Sequence, residues 1–291
     1  AGAESPGEAA FIQFCFERQW RSLQREARAL GVRLIGDLPI FVAPDSADVA
    51  ARPDLFRLDS RGAPTVVTGV PPDGFAPTGQ RWGHPHYRWS AHARDDFAWW
   101  RSRVRATMER FDLVRIDHFI GFVRAYEVPS RNRTAEHGHW RPAPGTALLA
   151  AIQRDLGALP FIAEDLGSVT PAVHALRDGF SLPGMRILQH AFGDGPSPDR
   201  PHRHPENSVV YPGTHDNDTT AGWWRSAPQS TKERCAAYAG FSPDASPSDA
   251  AAALVRLALG SPARLAVIPM QDLLGLGSFA RMNLPGRAKG Q

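Results

Sequence analysis

Lysine is almost missing from this chain. Lys232 and Lys289 are the only two among 33 basic residues, and the rest are arginines scattered without a run or stripe. Set against 30 acidic residues, they leave a formal net charge of +3. That balance reads as composition bias, not as a surface built for phosphate, so no nucleic-acid partner is expected. Cysteine is scarce too: Cys15 and Cys235 stand far apart and form no CxxC pair. This excludes a disulfide framework and fits a reducing compartment. No apolar run approaches the length of a membrane span, and residues 1–10 carry no secretory pattern. A soluble, cytoplasmic protein with no membrane partner is the expectation. The histidines at 84, 86, 92, 202 and 204 show no ligand spacing coupled to a cysteine pair or an HExxH helix, and Gly275-Leu276-Gly277 leads into no phosphate loop. Neither a metal nor a cofactor is expected.

What the chain has is alternation. Hydrophobic residues make up 42% of 291 positions, enough for a sizeable core. Residues 11–30 read as a helix with a broad apolar face, stopped at Gly31. A buried strand follows over 32–39. A Pro-, Gly- and Asp-rich stretch then runs to about residue 90, too long for a passive connection. A helix over 92–110 leads into a strand at 111–118, and an irregular stretch through 145 into a helix at 146–157. Strands follow at 161–165, 185–189, 208–214 and 264–269, with helices near 170–179 and 248–259 between them. Six strands alternating with helices argue for a parallel sheet. Polar residues recur where strands end, at Asp37, Asp117, Glu164, His215-Asp216 and Gln271-Asp272. A barrel gathers its strand ends at one catalytic face, whereas a doubly wound sheet offers one switch point. The expected fold is therefore α/β, a partial (β/α)8 TIM barrel. It is read as one incomplete catalytic domain over 1–291, with insertions near 43–90 and 130–145 and two strands lying before residue 1.

Side chains alternate along a strand. Val114 and Ile116 are expected to face outer helices, while Arg115 and Asp117 point into the barrel mouth. A carboxylate beside an arginine keeps its charge, as a nucleophile must; a structural ion pair would look the same. Glu164 ends the next strand. A carboxyl in an enclosed site near another carboxylate is pushed toward its protonated form, as a general acid must be; a structural salt bridge is again the bland alternative. Together, Asp117 and Glu164 make the two-carboxylate arrangement of glycoside chemistry. The run from Gly213 to Thr219 alternates oxygen donors but lacks the glycine and distal glutamate of a calcium-binding EF-hand loop. Most tryptophans are expected in the core. Trp82, in a loop-like Trp-Gly-His-Pro run, is a candidate for stacking on sugar rings.

Ordered motifs sharpen this reading. They include Gly36-Asp37-Leu38-Pro39-Ile40-Phe41-Val42, Gly69-Val70-Pro71-Pro72-Asp73, Thr78-Gly79-Gln80-Arg81-Trp82-Gly83 and Arg115-Ile116-Asp117-His118-Phe119. Further on come Ala163-Glu164-Asp165-Leu166-Gly167, Leu182-Pro183-Gly184-Met185, the run from Gly213 to Thr220, and Arg281-Met282-Asn283. In this order the set resembles the amylomaltase or disproportionating-enzyme family of 4-α-glucanotransferases (glycoside hydrolase family 77), within the wider α-amylase superfamily. The resemblance implies that Asp117 is the nucleophile, Glu164 the acid/base and Asp216 the transition-state stabiliser. It implies that Asp37, Arg115 and His215 grip the sugar at the cleavage point, and that Asp73, Gln80, Trp82 and Asn283 line a glucan groove. The implied partners are α-1,4-glucans and maltooligosaccharides as donors, with glucose or maltose as acceptor, and no cofactor. Two inversions at the anomeric carbon preserve the α-linkage.

The chain departs from the family pattern at Gly74, where an aromatic residue is usual, at Ile120, where arginine is usual, and at Phe279, where glutamate is usual. Substrate grip and local ion pairing are the properties these changes touch. An α-glucan hydrolase with the same carboxylates, and an inactive truncated glucan-binding product, remain the rival readings.

Overall fold

The computed structural model describes residues 6–73 and 76–285. The chain divides into two compact units, Ala1–Leu182 and Pro183–Gln291. In the first, α1 (Pro6–Ala29) precedes β1 (Ile35–Pro39) and α2 (Ala47–Ala51). Then come β2 (Val66–Val70), β3 (Gln80–Pro85), α3 (Trp89–Arg94), α4 (Ala98–Met108), β4 (Leu113–Asp117), β5 (Arg124–Pro129), β6 (His139–Pro142), α5 (Gly145–Leu156), β7 (Phe161–Ala163) and α6 (Pro171–Gly179). β1 pairs with β4 and β4 with β7, both parallel, with Asp37 opposite Arg115 and Ile116 opposite Ala163. Val114 and Ile116 are buried in a core with Trp100, Leu148, Ile152 and Phe161, so the expected alternation of β4 holds.

Three expectations change. The helix read over 92–110 is two helices. Asp96 and Phe97 adopt left-handed backbone at φ 52° and 58°, and the Asp95 carboxylate accepts the Ala98 amide at 3.2 Å to start α4. The break lets Phe97 drop into the core. The stretches read as a long excursion and an irregular segment instead pair with each other, as an antiparallel sheet in the order β3-β2-β5-β6. Finally, α1 docks by a mixed face, with the Trp20 ring edge-on to Phe111 and Ala27 buried. Trp20 Nε1 and Gln24 Nε2 donate to the Arg110 carbonyl, while Phe11, Phe14, Phe16, Leu23 and Leu30 remain exposed.

The second unit holds β8 (Gly184–Ile187), β9 (Ser208–Tyr211), α7 (Thr220–Ser226), α8 (Gln229–Ala239), α9 (Pro247–Leu259), β10 (Leu265–Ala266) and α10 (Met270–Leu273). β9 pairs parallel with both β8 and β10. The last strand is shorter than its apolar run. After Ala266 only the Val267 amide reaches the β9 carbonyl of Val210, at 2.9 Å, and Pro269 has no N–H to give. α9 is a well-marked helix: Ser246 accepts the Asp249 amide at 3.2 Å and Pro247 occupies the first turn. Its Leu254 and Ala258 pack with Val210, Trp224 and Cys235. Among the described residues no helix is long and apolar enough to cross a membrane.

Candidate active site

Register assembles the first half of the site. Because Asp37 lies opposite Arg115, the guanidinium Nη1 donates to both Asp37 oxygens at 2.8 Å. The same atom lies 3.0 Å from Asp117 Oδ1. The arginine side chain is 8% exposed, whereas those of Asp37 and Asp117 are 45% and 41% exposed. A buried cation thus anchors two carboxylates whose free edges face outward. Burial works against the Arg115 charge, but Asp37, Asp117 and Glu164 outweigh it and raise its pKa.

Glu164 follows β7 directly. Its own amide donates to the Ile116 carbonyl and its carbonyl accepts the Phe119 amide, each at 3.2 Å. The β4–β7 pairing therefore continues past both strand ends. The Glu164 carboxylate Oε2 accepts the His118 amide at 2.7 Å. Although part of the residue's surface remains open, enclosure by protein lifts its pKa to about 8. Arg115 opposes that rise, Asp117 adds to it, the His118 amide opposes it and Asp165 adds to it. The neighbouring Asp165 has a different part: its fully buried carboxylate pairs with Arg177 on α6. Of two adjacent acids, one is a structural ion pair and the other a protonatable group in the site.

Of the residues expected to line a groove, Trp82 reaches His118 directly and Gln80 through Trp82. Trp82 on β3 donates from Nε1 to Gln80 Oε1 at 3.2 Å, and its ring meets the His118 ring edge-on at 4.8 Å. Asp73 lies in the turn after β2, where its Oδ1 accepts the Ala76 amide at 2.7 Å; Gly74 is outside the described residues. Ile120 is buried in the core, so the site of that departure is an apolar one. His118 stands in the motif around Asp117 but has no role assigned from the sequence. Its backbone sits at φ 52°, a conformation that no side-chain pattern announces.

In the second unit the loop after β9 carries His215 and Asp216. Asn283 Nδ2 donates to Asp216 Oδ1 at 2.8 Å, and Arg281 Nη2 to the Asp216 carbonyl at 3.2 Å. His215 Nε2 lies 3.5 Å from Asp216 Oδ2. The other oxygens of this loop serve the fold: Asn217 Oδ1 accepts from the Thr214 amide and hydroxyl, and Asp218 Oδ2 accepts from Ser278. Asp272, read from the sequence as a strand-end acid, is buried and accepts the Thr220 amide and hydroxyl at 2.6 and 2.8 Å. Phe279 is 84% exposed.

Comparison with known proteins shows what the chain is similar to. The glycoside hydrolase 77 family model, described as 4-alpha-glucanotransferase, matches residues 4–291. A 4-alpha-glucanotransferase of Thermus thermophilus is 52% identical over 99% of this chain and 59% of its own length. The chloroplastic/amyloplastic 4-alpha-glucanotransferase of Solanum tuberosum is 46% identical over 94% of this chain and 47% of its own. The chain therefore spans roughly half of these relatives. The amylomaltase of Streptococcus agalactiae, solved in complex with acarbose, superposes with a TM-score of 0.92 at 38% identity, over 96% of this chain and 56% of that one. The α/β fold is that of part of an amylomaltase (β/α)8 barrel. By its matched residues, its fold and its ordered motifs, the chain belongs to the glycoside hydrolase 77 family of 4-alpha-glucanotransferases.

Proposed function

We propose that the protein carrying this chain is a 4-alpha-glucanotransferase that moves α-1,4-glucan segments by a retaining double displacement. The observation that carries the reading is the pairing of an arginine-anchored Asp117 with a Glu164 whose pKa is lifted to about 8. One carboxylate is held ready to attack; the other holds its proton near neutral pH. Asp117 bonds to the anomeric carbon while Glu164 passes its proton to the departing glycosidic oxygen. Glu164 then takes the proton of an incoming sugar hydroxyl, whose oxygen displaces Asp117 and restores the α-linkage. Asp216 holds ring hydroxyls more tightly in the transition state than in the bound sugar. Asp37, Arg115 and His215 grip the sugar at the cleavage point, and Asp73, Gln80, Trp82 and Asn283 line the groove. Donors are maltooligosaccharides or starch chains; glucose or maltose serves as acceptor. The acarbose complex of the Streptococcus amylomaltase supports this ligand class. The two unpaired cysteines support a reducing, cytoplasmic setting.

The test is incubation of the full-length natural protein with maltotriose alone. Glucose accompanied by maltopentaose and longer chains is the expected outcome. Glucose and maltose without longer products would make it a hydrolase, and no turnover would leave a glucan-binding protein.

A further inference from the structure

We infer that His118 is a positioning residue for Glu164: its left-handed backbone aims the peptide amide at the acid/base carboxyl, while its buried ring props Trp82. The inference rests on the reading of Glu164 as acid/base.

Three observations carry it. First, β4 ends at Asp117, and His118 follows at φ 52° and ψ 49°, a left-handed region that glycine, asparagine, aspartate and histidine enter more readily than other residues and that β-branched residues avoid. The peptide that turns there donates to Glu164 Oε2 at 2.7 Å. With Oε2 occupied, Oε1 is left to carry the transferable proton. Second, the ring is wedged. It meets Trp82 edge-on at 4.8 Å and Phe41 at 6.2 Å. A Cβ on Gly121 would come within 3.1 Å of its Cδ2, so the following turn also closes on it. Third, the ring does no ionic work. Its Nε2 has no hydrogen-bond partner among the described residues, and burial lowers its pKa to about 4, so it remains neutral where Glu164 titrates. The charged groups that face Glu164 within the unit are Arg115 and Asp117 from β4 and Asp165 beside it. The charge of Asp165 is matched by Arg177 of α6, and that of Arg115 is shared with Asp37 of β1.

An amide hydrogen bond stabilises the ionised carboxylate. Swinging the amide away removes that stabilisation, so the Glu164 pKa must rise and the carboxyl must lose its fixed orientation. The experiment compares His118→Asn and His118→Gly, which accept left-handed backbone, with His118→Val, which does not, in the full-length protein. The readouts are kcat and the alkaline limb of kcat/KM with maltotriose, alongside circular dichroism. His118→Asn and His118→Gly should keep the limb where it stands, with KM raised because Trp82 loses its prop. His118→Val should lower kcat about tenfold or more and move the limb up by about one pH unit. If His118→Val does not fold, His118→Ala takes its place, with a smaller displacement in the same direction. An unchanged limb and kcat in the folded Val or Ala variant would overturn the inference. So would equal impairment in all variants, since the ring and not the turn would then be what matters. Glu164→Gln separates the two ideas: if it keeps the wild-type alkaline limb, the acid/base reading itself fails, whatever His118 does.

Discussion

Glu164 is the residue whose environment makes the sharpest demands. Its folded pKa of about 8 stands above the ordinary 4.5, so the folded state holds a proton that the unfolded state releases. The associated stability is complete below about pH 4.5 and is lost as pH climbs toward 8. Glu164→Gln removes the titration. Its thermal midpoint should therefore rise relative to wild type between pH 5 and 8 and level off above. The gain should reach a few kcal/mol, at about 1.4 kcal/mol for each pH unit that separates the folded and unfolded pKa values. A constant difference across that range, read by calorimetry, would contradict the assigned pKa. Asp117→Asn should cost on the order of 10⁴-fold or more in maltotriose turnover with the circular dichroism spectrum unchanged, because the amide cannot form the glycosyl ester and Arg115 keeps Asp37 as its partner.

Elements differ in how openly the sequence announces them. The parallel strands were legible because each is a short apolar run closed by a turn signal or an acid, as in Val114-Arg115-Ile116-Asp117 and Phe161-Ile162-Ala163-Glu164. The antiparallel sheet was not. Its β3, Gln80–Pro85, contains glycine and proline, and its β6, His139–Pro142, carries histidine and arginine. Such strands form because tertiary pairing overrides propensity. Here Val66–Gly69 and Tyr126–Pro129 zip together and Arg57, Arg141 and His139 converge on the buried Glu127. Glycine is required within this sheet: a Cβ on Gly69 would run into the Gln80 carbonyl of the facing strand. Gly69→Ala should cost about 1–3 kcal/mol and, by splaying β3, raise the KM for maltotriose through Trp82. A stability loss without any change in KM would detach β2 from the groove. On α6, Arg177→Ala should destabilise by about 3–5 kcal/mol, because it removes the guanidinium that is paired with the fully buried Asp165 carboxylate. Chemical denaturation reads this directly, and a loss under about 1 kcal/mol would mean water reaches Asp165.

For the whole molecule the telling feature is where the apolar surface lies. The periodicity of α1 announces a helix correctly, yet periodicity cannot say which side will be covered. Phe11 is 65% and Phe14 62% exposed, with Phe16, Leu23, Leu30 and Ile35 also open. Open apolar surface of this kind draws chains together in water, and a near-balanced charge of +3 over 291 residues does little to hold them apart. Residues 1–291 produced by themselves are expected to elute from size-exclusion columns as concentration-dependent oligomers. The double substitution Phe11→Glu and Phe14→Glu should shift them toward monomer. A sharp monomer peak for the unsubstituted chain would refute this. The parallel strands of each unit were readable, and so were the acids that end β4 and follow β7, whereas Asp272 lies in α10 and holds Thr220 instead of ending a strand. The exposure of α1 was not, because it depends on which residues find partners near Arg110: Trp20, Gln24 and Phe16 do, while Phe11 and Phe14 stay open.

The doubly held guanidinium of Arg115 has a consequence in time. On the proposed chemistry, ester formation cancels the negative charge of Asp117. The repulsion that helps keep the proton on Glu164 then vanishes, while the attraction of Arg115 persists. Asp37 keeps the arginine paired throughout, so nothing around it must rearrange. The proton affinity of Glu164 is thus lower once the glucan is attached to the protein than before the donor is cleaved. The same side chain is an acid when it must give a proton and a base when it must take one. A glucosyl-enzyme trapped on Asp117 should titrate Glu164 at lower pH than the free protein.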